Sequence, residues 1–253
     1  MKKLLLILLM VGLIACLLVG CSGVTPPPTE GEGEGEGEPE TVARVVLVEL
    51  FNTDGCANCA VVEPILEEIA ADPDYGRDKM VFVEEAGWGL YSTSETIARY
   101  KWYLPIEGDR STPNILINGL NKRYHGGVSS KITLMTQINA QSNLEAKIKI
   151  SAQRNTEATS TTVSGTVTNI SSSDLSNLVV TLMTYKNRSK QGFRYSVTNI
   201  LTEEIGSLTS AGTYAFSITV DEPNWVGSGL HGAVLVQETA SSKKEVLQVL
   251  YVE

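Results

Sequence analysis

The sequence predicts an α/β sandwich followed by an all-β sandwich, carried behind an extended N-terminal leader. Three observations point there. Between residues 41 and 142, short apolar runs alternate with stretches of helical spacing, the pattern of strands and helices layered on one another. From 143 to 253, strand-like runs succeed one another with turn-rich clusters between them and no convincing helix. Before residue 41 the composition suits neither core. The chain has 253 residues, 42% of them hydrophobic, which is comfortable for two packed domains.

The leader divides at Cys21. Residues 1–20 read as a secretory signal: Lys2 and Lys3 supply a positive start, and Leu4 to Val19 is an unbroken run of apolar residues and Gly. The closing Leu18-Val19-Gly20-Cys21 resembles the lipobox of bacterial lipoproteins, which implies cleavage before Cys21 and acylation of its thiol. An uncleaved membrane anchor is the alternative, since the apolar run approaches the length of a spanning helix. Both readings put the remainder outside the cytoplasm. Residues 21–40 form a linker, in which Pro26-Pro27-Pro28 and an alternation of Gly and Glu from Gly31 to Glu38 bury nothing and repel along their length.

Charge excludes some functions. The formal net charge is −9, but residues 1–40 hold six of the glutamates and two of the lysines, leaving 23 acidic and 18 basic residues beyond. That is an ordinary surface with no basic patch for nucleic acid.

The α/β segment, 41–142, is read in order. Val45 to Phe51 is apolar except for Glu49, as for a strand buried on both faces. Ala60 to Ala71 spaces Val62, Ile65, Leu66 and Ile69 along one side of a helix. Met80 to Val83 is a second strand, and Ser94 to Tyr103 a helix opened by Thr93 or Ser94 as its cap. Asn114 to Ile117 is a third strand ended by the turn signal Asn118-Gly119, across which Lys122 to His125 pairs back. A helix over Ser129 to Ala140 closes the unit.

In the segment 143–253, strands are expected at 144–151, 161–169, 178–185, 194–201, 213–220, 232–237 and 246–252. Seven short strands without a helix describe a sandwich of immunoglobulin or fibronectin type. No cysteine pair bridges its sheets.

The chemistry lies in Cys56-Ala57-Asn58-Cys59, between the first strand and the first helix. A thiol attacks a disulfide as thiolate, and its ordinary pKa near 8.5 falls when unpaired backbone N–H groups at a helix N-terminus face the sulfur. Cys56 occupies that place, and Cys59 lies within reach to attack the mixed disulfide that Cys56 forms.

Cys56-Ala-Asn-Cys59-Ala-Val-Val-Glu-Pro64-Ile-Leu-Glu-Glu-Ile-Ala70 resembles the active-site helix of thioredoxins. Ser111-Thr112-Pro113-Asn114-Ile-Leu-Ile117 resembles the segment carrying that family's cis-proline, and Gly127-Val-Ser-Ser-Lys131 its final helix start. The resemblance spans roughly 42–142. It implies that Cys56 is the attacking sulfur, that Cys59 resolves, and that Thr112, Pro113 and Gly127 face the substrate. Glu49 then matches the buried acid that takes a proton from the second cysteine; the other reading puts it at the sheet end, against water. The sequence departs from the family in having Gly55 where a tryptophan stands, Ala57-Asn58 between the cysteines, and an insertion at 86–93 with Trp88 and Tyr91.

No metal site is expected, because Cys56 and Cys59 supply two ligands and the two histidines, His125 and His231, fall in different segments. No cofactor is called for. The favoured function is thiol–disulfide exchange on protein thiols or disulfides, at a membrane reached through Cys21, with a redox partner that the sequence does not name. The alternative is a cell-envelope binding protein in which Cys56–Cys59 is a static disulfide.

Overall fold

The computed structural model describes residues 42–253 apart from 191, 224 and 226. The signal segment, Cys21 and the linker therefore lie outside the described residues. Those described belong to one compact unit.

The first half runs β1 (Val46–Asn52), α1 (Cys59–Ala71), β2 (Met80–Ala86), α2 (Ser94–Tyr103), β3 (Asn114–Ile117), β4 (Lys122–His125) and α3 (Lys131–Ser142). The second is all strand: β5 (Ile148–Thr156), β6 (Thr161–Asn169), β7 (Leu175–Lys186), β8 (Ser196–Leu208), β9 (Thr213–Val220), β10 (Leu230–Glu238) and β11 (Val246–Val252). Local chemistry sets several ends. Thr93 and Thr96 form a reciprocal capping box at the start of α2, Ser130 caps α3, and Pro73 follows the end of α1. No helix among the described residues is long and apolar enough to cross a membrane.

The expected architecture, an α/β sandwich with a separate immunoglobulin-like sandwich behind it, is not what forms. The molecule is mostly β, and strands from both halves join one mixed eight-stranded sheet in the order β11-β10-β7-β8-β2-β1-β3-β4. A three-stranded antiparallel sheet, β5-β6-β9, stands apart from it. The seam is β2 against β8, parallel, with Glu84 opposite Ser196 and the Glu84 N–H donating to Tyr195 O at 2.9 Å.

Packing explains the merger. Leu178, Val180, Leu182, Val234 and Val236 face the three-stranded sheet, against Ile148, Val163, Val167 and Phe216. Their neighbours on the other face of the same strands, Met183, Ala233 and Leu235, pack with Leu47, Val81 and Val83 of the first half. The central parts of β7 and β10 are thus covered on both faces, so these strands have no solvent face with which to stand as a separate sandwich. The halves are also stitched at their ends. Val45 N–H donates to Gln248 Oε1 at 2.8 Å, and Leu120 N–H to Lys243 O at 2.7 Å. That second approach needs Gly119, whose φ is +71° and where a Cβ would lie 2.1 Å from Lys244 O. On the remaining face of β1 and β2, α1 and α3 cover Val46, Val48, Leu50 and Phe82 through Val62, Leu66, Ile69, Leu134 and Ile138.

Candidate active site

The cysteines sit where β1 ends and α1 begins. Asn52 closes the strand, Gly55 turns at φ +76°, and the helix starts at Cys59, so Cys56 lies in the turn just ahead of it. Cys56 and Cys59 form a disulfide with Cα atoms 5.2 Å apart. The two sulfurs differ in access: Cys56 is partly exposed, whereas Cys59 is 1% exposed and faces the core. The Cys59 N–H, first of the helix, donates to Cys56 Sγ at 3.1 Å, so the sulfur meets the positive end of α1.

The Thr112–Pro113 peptide is cis, and its loop lies alongside. Pro113 O accepts from Gly126 N–H at 2.9 Å. A Cβ on Gly127 would come within 3.5 Å of Pro113 Cγ and 3.7 Å of Asn58 O, so these residues meet beside the cysteine turn. Two clefts join at Cys56. One, about 650 Å³, is lined by Trp88, Glu107, Arg110, Ser111 and Thr112. The other, about 380 Å³, is lined by Asp54, Ala60, Glu63, Lys190 and Phe193. The structure therefore brings together Cys56, Cys59, Thr112, Pro113 and Gly127.

Glu49 is not among them. Val48 and Leu50 point to α1, so the alternation of β1 turns Glu49 to the opposite face, under α2. There it is fully buried, accepting from Arg99 Nε at 2.6 Å and from Tyr103 Oη at 2.8 Å. It reaches neither the cysteines nor water. Glu85 lies 3.5 Å from the same guanidinium. Burial and then the Glu49 charge push the Glu85 carboxyl well above the usual range. His125 pairs with Ser111 on the surface, and His231 with Tyr251 in the other half. Among the described residues, no group of three or more His, Cys, Asp or Glu could hold a metal ion.

The second half supplies what the sequence did not reveal. The β7–β8 connection lies across the disulfide end as a strap. Lys190 Nζ meets Asp54 Oδ1 at 2.5 Å, and Asn52 Nδ2 donates to Gly192 O at 2.5 Å. The Phe193 ring packs tilted against Tyr91, with centroids 4.6 Å apart, and Trp88 of the same 86–93 segment borders the wider cleft. The strap also shields acids. Glu63 accepts from Asn52 at 3.2 Å, Glu67 from Gly192 N–H at 3.3 Å, and Glu84 from Tyr195 N–H at 2.7 Å. Burial raises Glu63 above the usual range and holds Glu84 at about 8, whereas Lys190 lowers Asp54. A polar Glu63 beside core positions of a helix was the available signal, but nothing local announces that a distant loop covers it.

No family model and no curated protein matches the chain. Among solved structures it is similar to HBP35 of Porphyromonas gingivalis, with a TM-score of 0.65 and 12% identity over 83% of this chain and 74% of that one. That likeness concerns the fold. Weaker similarities are a domain of the outer membrane lipoprotein Omp28 from Porphyromonas gingivalis (TM-score 0.32, 15% identity, 43% of this chain and 88% of that one) and a beta-glucuronidase of Bacteroides uniformis (TM-score 0.29, 18% identity, 42% and 12%).

Proposed function

We propose that this chain is an extracytoplasmic, lipid-anchored thiol–disulfide oxidoreductase of the bacterial envelope, acting on protein thiols or disulfides. One observation carries the reading: a disulfide with one sulfur opening on two clefts and the other buried, beside the Thr112–Pro113 loop. The likeness of the cysteine helix to that of thioredoxins supports it, and the sequence up to Cys21 supports the location. In the oxidised form a substrate thiolate attacks Cys56 Sγ, the Cys56–Cys59 bond breaks, and Cys59 departs as thiolate and takes a proton. A second substrate thiolate then attacks the substrate sulfur of the mixed disulfide and releases Cys56. Two electrons pass to the cysteine pair and the substrate gains a disulfide; the reverse sequence reduces one. In this reading Cys59, buried next to the bond, resolves, and Thr112 in the wider cleft, with Pro113 and Gly127 adjoining it, meets the substrate.

The test is exchange with a peptide carrying two thiols, and with its disulfide form. The intact protein turns over in at least one direction, Cys56→Ser abolishes it, and Cys59→Ser traps a mixed disulfide at Cys56. A pair that resists reduction by dithiols and exchanges with neither peptide identifies a static disulfide and refutes the enzyme.

A further inference from the structure

Cys59, Glu63 and Glu67 follow one another at intervals of four along α1, which places neighbouring side chains on one face, with Cβ atoms about 5–6 Å apart. That face is covered although it is acidic: Glu63 is 6% exposed and Glu67 8%. The strap provides the cover. Asn52 Nδ2 bridges Glu63 Oε1 and Gly192 O, Gly192 N–H and Arg194 Nε reach Glu67, and Gly192 lies so close that a Cβ there would sit 2.3 Å from the Glu63 carboxyl. Glu63 nevertheless borders the same 380 Å³ cleft as Cys56, Ala57 and Ala60. A buried carboxyl one helical turn behind the resolving cysteine, opening on the cleft of the attacking one, is placed for proton transfer.

We propose that Glu63 is the group that exchanges a proton with Cys59 during disulfide exchange, a role resting on the oxidoreductase reading above. As a mixed disulfide on Cys56 resolves, the Cys59 thiol gives its proton to the Glu63 carboxylate and its thiolate attacks Cys56 Sγ. The Cys56–substrate bond breaks, and the departing substrate thiolate takes the proton back. In the opposite direction Glu63 protonates Cys59 as it leaves. The groups acting on Glu63 are Asn52 from β1, Glu67 on its own helix, Glu84 from β2 and Lys190 from the strap; Asp54 of the cysteine turn pairs with that Lys190, and Arg194 of the strap with Glu67. Burial outweighs the Asn52 hydrogen bond, Glu67 adds to the rise, and Lys190 opposes it. The carboxyl is thereby brought closer to the ordinary thiol value near 8.5, where proton exchange between the two is efficient.

The experiment is single-turnover release of a peptide from its mixed disulfide with Cys56, followed from pH 5 to pH 10 on the full-length protein. Glu63→Gln keeps an acceptor for Asn52 but cannot titrate. Its release rate falls on the order of 100-fold near neutral pH, the low end for general acid–base catalysis, and the inflection belonging to Glu63 disappears. Glu63→Asp retains an inflection at a displaced pH. In the reduced protein, alkylation of Cys59 moves to lower pH in Glu63→Gln, because a negative neighbour is gone. Release within twofold of the unaltered protein, with the same inflection, overturns the assignment. Lys190→Ala supplies a second arm: with the facing cation removed, the inflection moves up, and an unmoved inflection overturns the proposal even where Glu63→Gln fails to fold. A normal protein that exchanges with no peptide refutes the function itself, whereas exchange that is indifferent to Glu63 refutes this role alone.

Discussion

Replacing Glu84 by Gln should stabilise the protein, by an amount that pH controls. Glu84 is fully buried at the β2–β8 seam. Its Oε2 accepts from Tyr195 N–H at 2.7 Å, and its Oε1 has no partner. Burial, with the charges of Glu67 and Glu63 adding to it, lifts its carboxyl from an ordinary 4.5 to about 8. The folded protein therefore keeps a proton that the unfolded chain releases near pH 4.5. A carboxyl raised in this way contributes its full stability below pH 4.5, and that contribution is lost as pH rises to about 8. At about 1.4 kcal/mol per unit, a rise from 4.5 to about 8 corresponds to ~5 kcal/mol. Gln keeps the acceptor for Tyr195 and does not titrate. Urea unfolding at pH 4.5, 6, 7.5 and 9 checks this. The advantage of Glu84→Gln over the unaltered protein is near zero at the lowest pH, grows through the middle of the range and levels off above pH 8. An advantage that stays constant across the range, or a variant less stable at pH 9, would refute the picture of a proton held at the seam.

Two further outcomes follow from the packing. Gly192 adopts φ +79° against the Glu63 carboxyl, so Gly192→Ala should lower stability by about 1–3 kcal/mol. It should also loosen the strap, read as faster alkylation of Cys59 in the reduced protein. Leu235 is fully buried between β10 and the first half, so Leu235→Ala should cost about 2–5 kcal/mol. The denaturation midpoints of the Tyr100 and Trp225 environments, one in each half, should move down together; separate midpoints would refute the shared core.

Local signals carried far in this chain, and the long-range ones did not. The strand at Asn114–Ile117, the helix at Ser94–Tyr103 and the strands at Thr161–Asn169 and Thr213–Val220 fall where periodicity puts them. The disulfide end was legible because Cys56, Cys59 and the Thr112–Pro113 segment each declare themselves within a few residues. The joined sheet was not foreseen, although the sequence carried one sign of it. Gly232 to Gln237 and Leu178 to Tyr185 lack the apolar–polar alternation of a strand with one wet face, a sign that both sides are covered. What covers them, Leu47, Val81 and Val83, is itself an apolar set with two faces and lies more than 90 residues away, beyond any local pattern. Glu49 left the place expected for it beside the second cysteine, and Glu63 went unremarked, for the same reason. Alternation establishes that Glu49 opposes Val48 and Leu50, but not which side α1 takes. Helical spacing makes Glu63 a flanking polar position until a loop of the second half closes over it.

The contacts of Val45 with Gln248, and of Arg44 with Val246 O at 2.9 Å, join the first strand to the last across about two hundred positions. A ribosome makes the chain from its N-terminus, so β1 finds β2 and β3 early, whereas Arg44 and Val45 wait for almost the entire molecule before β11 exists to bond them. Cys56 and Cys59, three positions apart, need no such wait to find each other. Joining the pair is a local event, and the wider cleft belongs to the first half, whereas the strap and the smaller cleft it helps line need the second half of the chain. The disulfide thus depends on neighbours in sequence, and the strap beside it on neighbours brought together only by the complete fold.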